Sequence, residues 1–299
     1  MEGTGGQFFN RLFGGWKMSE NKVYQIITDQ IIAKLEEGKI PWQKPWNGSS
    51  TPTNYVSNKP YRGINAFLLS MSTYQSNFWL TFNQAKELGG TVKKGEKSTI
   101  VVFWKKVNKY GNNDDENESY QMLRYYRIFN IDQCENVREI KNRDVEEANN
   151  DIEEDLDQEW FIKSLYHVPE INFGGHRAFY SPSEDFIQIP QLKHFVNSDE
   201  FYAVQFHEIV HSTGHQSRLA RLEKTAAFGN HDYSKEELTA EMGACFLCGI
   251  AGIETTFENS AGYIQGWLKK LKSDPKFVVQ AAGKAQKAVD YLLDIKHDS

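Results

Sequence analysis

Two histidines stand four residues apart in His207-Glu208-Ile209-Val210-His211, with a carboxylate directly after the first. On a helix, positions i and i+4 share a face, so both imidazoles reach one metal ion while the glutamate stays beside it. This H-E-x-x-H spacing suits metal-assisted hydrolysis, in which ring nitrogens hold the ion and the glutamate takes a proton from the attacking water. With eight histidines in 299 residues, a chance match is uncommon. The plainer alternative is two surface histidines on an amphipathic helix. The surroundings predict that helix: Asn197-Ser198-Asp199-Glu200 reads as an N-cap with a capping-box glutamate, Phe201, Val204, Ile209 and Val210 supply a buried face, and Gly214 is a stop.

A catalytic metal needs a third protein ligand and an open position. His215 lies only four residues past His211, and the longer pattern H-E-x-x-H-x-x-G-x-x-H would need histidine at position 217, which is Ser217. The better source is the next predicted helix, Ser234 to Leu247, where Glu237 and Glu241 fall on one face. One can bind the metal while the other holds a ligand imidazole in place, the support that metal-bound histidines require. Two plainer readings compete: Ser234 and Glu237 also form a capping-box pattern, and Glu236 or Glu241 can simply be solvated. Tyr233, His231 and His215 are alternative donors to a developing oxyanion, and the sequence does not choose among them.

The elements that must carry these residues divide by charge. The chain has a net charge of −6, yet from Met18 to Tyr110 there are 13 Lys/Arg against 6 Asp/Glu. Nine acidic residues and no basic one lie between Asp144 and Glu159, which reads as a solvated linker. Residues 1–17 are glycine- and aromatic-bearing irregular sequence, an extension set aside from the fold argument. Three cysteines argue against a disulfide framework, and Cys245-x-x-Cys248 sits in an apolar helical run that reads as buried thiols. The absence of a long apolar run or a signal-like start predicts a soluble, cytoplasmic chain with no membrane partner.

In the basic half, Val23, Ile26, Ile27, Ile31 and Leu35 recur at helical spacing. A second helix is predicted after Tyr61-Arg62-Gly63, and a third from Thr81, with Gln84 completing a capping box. Residues 99–104 and 120–129 are β-rich runs that can pair across the acidic loop at 112–118. Lysines combined with Trp42, Trp46, Tyr55, Tyr61, Trp79 and Trp104 match how single strands are held, with bases stacked on rings and phosphates neutralised. Trp79 and Trp104 are equally read as core, whereas Trp42 and Trp46, flanked by prolines and a lysine, are the better stacking candidates.

These residues carry a family resemblance. His207 to His215 followed by Glu237-Leu-Thr-Ala-Glu241 resembles the zincin-like metallopeptidase domain of ArdC-type antirestriction proteins. Residues 178–190 resemble that family's edge strand beside the cleft. Upstream, Trp42-Gln-Lys44-Pro45-Trp46, Asn54-Tyr55, Tyr61-Arg62-Gly63-Ile64-Asn65, residues 79–85 and Val92-Lys93-Lys94-Gly95-Glu96-Lys97 resemble the family's N-terminal single-stranded DNA-binding domain. The resemblance implies Glu237 as third ligand and Glu241 as the supporting carboxylate, through the glutamate-zincin pattern E-x-x-[SA]-[DE]. It also implies a protein of mobile genetic elements that shields incoming DNA from restriction, with a zincin domain acting on DNA-bound proteins.

The expected fold is α+β in two domains, each burying its own core: a single-stranded DNA-binding module over 18–135, an acidic linker over 136–156, and a zincin-like domain over 157–299. The helix of His207 should pack on that of Glu237 beside a small sheet bearing Phe179 to Ile189. Tyr263, Ile264, Trp267, Leu268 and Leu271 should close the core with Val278, Ala285, Val289 and Leu292. The expected site has one Zn²⁺ or other divalent ion on His207, His211 and Glu237, Glu208 as general base, and Trp42, Lys44, Trp46, Tyr55, Tyr61, Arg62, Lys93, Lys94 and Lys97 toward DNA. The alternative is a non-catalytic shield with a structural metal. A peptidase of ordinary soluble proteins fits the basic-aromatic half less well.

Overall fold

The computed structural model of the chain describes residues 20–42, 51–109, 118–140, 158–222, 231–253 and 261–296. Lys44, Trp46, residues 1–17, residues 112–117 of the acidic loop and residues 141–156 of the expected linker lie outside them.

Helix α1 (Glu20–Glu36) forms where the apolar periodicity predicts, burying Val23, Ile27, Ile31 and Leu35, with Ile26 half-buried. Strand β1 (Thr53–Asn54) precedes helix α2 (Ile64–Ser70), strand β2 (Phe78–Thr81) and helix α3 (Phe82–Glu87). The expected capping box is made at α3: the Thr81 side chain accepts from the Gln84 backbone N–H, and the Gln84 side chain accepts from that of Thr81. Strand β3 (Thr91–Val92) pairs with β6 (Cys134–Glu135), and between them run the long strands β4 (Thr99–Lys109) and β5 (Glu118–Asn130). These two pair antiparallel from Thr99↔Ile128 to Lys109↔Glu118, in a sheet of order β1-β2-β5-β4.

The C-terminal half begins with helix α4 (Gln158–Ser164) and a three-stranded sheet of β7 (Glu170–Phe173), β8 (Phe179–Ser181) and β9 (Phe186–Ile189). Its order is β7-β9-β8, so the 178–190 segment is a hairpin with β9 central and β8 at the edge. Helix α5 (Ser198–Ser212) packs on this hairpin and on α6 (His231–Ile250). Helices α7 (Ala261–Ser273) and α8 (Phe277–Leu292) follow. Helix α8 lies along α6 and buries Val278, Ala285, Val289 and Leu292, as its spacing predicts.

The two domains form as expected, and the first keeps small apolar clusters of its own around Trp79 and Leu80, but the main core is not divided between them. One continuous apolar cluster joins Val23, Ile27, Ile31 and Phe67 from the basic half to Phe206, Leu238, Phe246, Trp267 and Val289 from the other. Phe67 stacks on Phe246, with ring centroids 4.6 Å apart. Helix α7 serves this junction more than the core of the C-terminal half, lying along α1. The cause is amphipathic geometry: α1 has a wide apolar face and its own sheet covers only part of it, so α7 and α8 bury the remainder. Polar ties follow the same seam, with the Thr28 hydroxyl donating to the Pro275 carbonyl (2.7 Å) and the Gly63 N–H to Gln286 Oε1 (2.9 Å).

Among the described residues no helix is long and apolar enough to cross a membrane. Cys245 and Cys248 are free, buried thiols in α6, and burial pushes both thiols up in pKa.

Candidate metal centre

Helix α5 carries His207 and His211, and its start is set by Asn197, whose side chain accepts from the Glu200 N–H at 2.8 Å. The reciprocal half of the expected box is displaced by one residue: Glu200 Oε2 accepts from the Val196 N–H. Helix α6 begins at His231, so Ser234 lies inside it rather than capping it, and the capping-box explanation of Glu237 falls away. The two helices approach closely because Gly243 faces Val210. A Cβ built on Gly243 would sit 2.8 Å from Val210 Cγ1, a contact real side chains do not make.

That approach brings Glu237 to the imidazoles. The Nε2 atoms of His207 and His211 are 3.0 Å apart, Glu237 Oε2 is 3.7 Å from His207 Nε2, and Glu237 Oε1 is 3.5 Å from His211 Nε2. One ligand atom from each residue falls within 4.8 Å of the others, the spacing a single ion between them requires. Two imidazoles and one carboxylate are a donor set suited to zinc and tolerant of other divalent ions. Without an ion, burial opposes protonation of His207, but the bond to Glu237 and the charges of Glu208, Glu237 and Glu241 overcome it and carry the ring to a pKa of about 9. Glu208, next to His207 and close enough to act on its charge, is buried, 9 % exposed, and among the described residues nothing hydrogen-bonds to its carboxylate.

The carboxylate that lies beside His211 Nδ1 is Glu236, not Glu241. Glu236 Oε1 lies 3.4 Å from His211 Nδ1, and its two oxygens also accept from Arg221 Nη2 (2.8 Å) and Nε (3.2 Å). Burial alone would raise the pKa of Glu236, yet His211 and Arg221 hold it below the usual carboxylate range. Arg221 in turn donates to the Val210 carbonyl and the Thr213 hydroxyl at the end of α5. Glu241, expected to hold an imidazole, instead accepts from Trp42 Nε1 (3.0 Å) and from the Tyr263 hydroxyl, and burial raises its pKa. Neither Glu236 nor Glu241 is solvated.

A second arginine ties the hairpin to α5. Arg218 donates to the Ser212 carbonyl (2.7 Å), to Asp185 and to the Tyr180 hydroxyl (3.0 Å). The Arg218 guanidinium holds Asp185 at a pKa of about 2. His215, one of the oxyanion candidates, has Nδ1 2.7 Å from the Ser217 hydroxyl. The side chains of His231 and Tyr233 lie outside the described residues.

Among the described aromatic residues considered for DNA, Trp42, Tyr55 and Trp79 are buried. Trp42 is completely buried and Tyr55 is buried edge-on against Phe78, because each ring fills an apolar cluster that the linear sequence does not reveal. Trp79 is core, while Trp104 is 48 % exposed. Tyr61 is half-buried and accepts from Asn54. Arg62 is engaged by Asp290 of α8 across the seam, so it is not a free phosphate contact. Lys93, Lys94 and Lys97 are exposed, and Lys93 donates to the Asp132 carbonyl. A missed group lies on one face of β4 and β5: Phe103 and Tyr126 stack at 4.4 Å, beside Arg124. The signal was weak, since exposed and buried aromatics look alike in a β-rich run.

Comparison with known proteins agrees with this architecture. Residues 21–131 match the N-terminal domain of anti-restriction factor ArdC, and residues 159–284 match a zincin-like metallopeptidase domain. The crystal structure of the antirestriction protein ArdC from the R388 plasmid, in its metal-free form, superposes with a TM-score of 0.71 at 35 % identity, over 91 % of this chain and 96 % of that one. The chain belongs to the ArdC antirestriction family. The Mn(II)-bound form of R388 ArdC matches equally well, with a TM-score of 0.71 and 36 % identity over 91 % of this chain and 97 % of that one. The Sinorhizobium fredii protein y4eC is 33 % identical over 90 % of this chain and 91 % of its own length. Two Escherichia coli DNA primases TraC are 33 % and 32 % identical over 95 % and 90 % of this chain, which spans only 21 % and 27 % of their lengths. The zincin-like fold implies a divalent metal, and the donors gathered at His207 fit one.

Proposed function

We propose that this ArdC-family chain binds single-stranded DNA through its basic half and hydrolyses peptide bonds of DNA-associated proteins at the His207 site. The convergence of His207, His211 and Glu237 beside a buried glutamate carries this reading. A divalent ion held by those three residues would supply Lewis acidity toward the scissile carbonyl. Glu208, whose carboxylate makes no hydrogen bond among the described residues, takes the proton of the attacking water and passes it to the leaving amine. Glu236 orients His211 through Nδ1, and Arg221 keeps Glu236 ionised for that task. The acidic groups around His207 favour a cation there over nucleic-acid phosphate, which supports reading the other half of the chain as the DNA-binding one.

There, Phe103, Tyr126 and Arg124 offer rings and a cation on one sheet face. Stacking on such rings needs unpaired bases, and cation contacts read only phosphate.

The test uses the full chain. Zinc content should approach one ion per chain and be lost in His207→Ala and His211→Ala, whereas Glu208→Gln should keep the metal and lose hydrolysis of a DNA-bound protein. Unchanged metal content in both histidine variants would sink the site. DNA protection retained in Glu208→Gln would instead favour a shield whose metal is structural. Single-stranded DNA should bind more tightly than duplex and weaken steeply with salt, and Tyr126→Ala should cost about 1–3 kcal/mol. Equal affinity for both forms would remove the DNA assignment.

A further inference from the structure

Every candidate metal ligand lies on α5 or α6, yet one buried side chain from the basic half reaches the same helix face. Trp42 is fully buried, and its indole N–H donates to Glu241 Oε2 at 3.0 Å. The Tyr263 hydroxyl donates to the same oxygen. Trp267 meets both rings edge-on, with centroids 6.1 Å from Trp42 and 6.1 Å from Tyr263. A carboxylate enclosed by aromatic rings is costly unless donors are aimed at it, and here the two donors come from segments far apart in sequence. Glu241 stands four residues after Glu237, one turn along the same face of α6. Fixing Glu241 therefore fixes the seat of that turn and places a charged group behind the ligand set.

We propose that Trp42 is a positioning residue of the metal centre: through its hydrogen bond to Glu241, the basic half of the chain completes the support of a site whose ligands all belong to the other half. This rests on the reading of His207, His211 and Glu237 as metal ligands, and it explains why a tryptophan that is not part of the zincin-like region is completely buried against it. A hydrophobic anchor alone would not need the indole nitrogen aimed at a carboxylate.

The experiment measures Zn²⁺ affinity of the full chain by competition with a chelator, together with helix content and melting temperature. Trp42→Phe keeps a ring and removes the N–H. It should weaken Zn²⁺ binding on the order of tenfold with helix content retained, the low end of what removing a ligand's support costs. In a Glu241→Gln background the same change should cost less than about twofold, because the charge it positions is gone. Unchanged affinity in Trp42→Phe, or an equal loss in both backgrounds, overturns the proposal and leaves Trp42 as core. Wild-type affinity in His211→Ala overturns the ligand reading itself, and this inference with it.

Discussion

At the scale of single residues, the protonation of His207 couples the site to pH. Its pKa in the metal-free chain, about 9, stands above the ordinary 6.5, because neighbouring carboxylates outweigh the burial that disfavours the charged ring. The protonated ring therefore stabilises the metal-free fold fully below about pH 6.5, and that contribution is lost as the pH rises through about 9. Two outcomes are expected. The melting temperature of the metal-free chain should fall between those pH values, and metal uptake near pH 7 should release about one proton from this residue, seen as a buffer-dependent heat in calorimetry. Uptake whose heat is the same in buffers of different ionisation enthalpy would contradict this account of His207.

At the scale of elements, the site depends on how two helices meet. The C-terminal end of α5 is held by Arg221, whose side chain is 7 % exposed and donates to the Val210 carbonyl, the Thr213 hydroxyl and both oxygens of Glu236. Arg221→Met would leave the buried Glu236 carboxylate without its main partner, and removing one partner of such a pair costs about 3–5 kcal/mol. Thermal or denaturant unfolding should show the loss. Metal affinity should fall as well, since Glu236 is then free to turn from His211 Nδ1. The helix interface itself is equally intolerant: Gly243→Val pushes a branched side chain into Val210 and should cost about 1–3 kcal/mol. Stability within a few tenths of the parent in either variant would show that α5 and α6 are seated by something else.

At the scale of the whole molecule, the shared core means that the two halves stabilise one another. Helix α1 packs on α7 and α8, Phe67 stacks on Phe246, and Arg62 pairs with Asp290. Unfolding of the full chain should therefore be a single cooperative transition, with calorimetric and van't Hoff enthalpies in agreement. A metal ion bound only in the zincin-like half should raise the melting temperature of the basic half by the same amount. Two resolved transitions, with metal shifting only one, would show that the junction contributes little.

The local features were legible from sequence because they depend on neighbours close along the chain. Helical spacing placed Val23 to Leu35 in α1, the Thr81–Gln84 pair marked the start of α3, and four-residue spacing put His207 and His211 on one face. Tertiary structure decided what depends on distant partners. Glu236, Glu237 and Glu241 are similar carboxylates on one helix, and only the packing of α6 assigns the first to His211, the second to the imidazole pair and the third to Trp42 and Tyr263. Trp42 shows the difference most directly. Its prolines and lysine suggest an exposed loop ring, but burial is settled by the surfaces that a side chain meets after folding, and those belong to Glu241, Tyr263 and Trp267, about two hundred residues away along the chain.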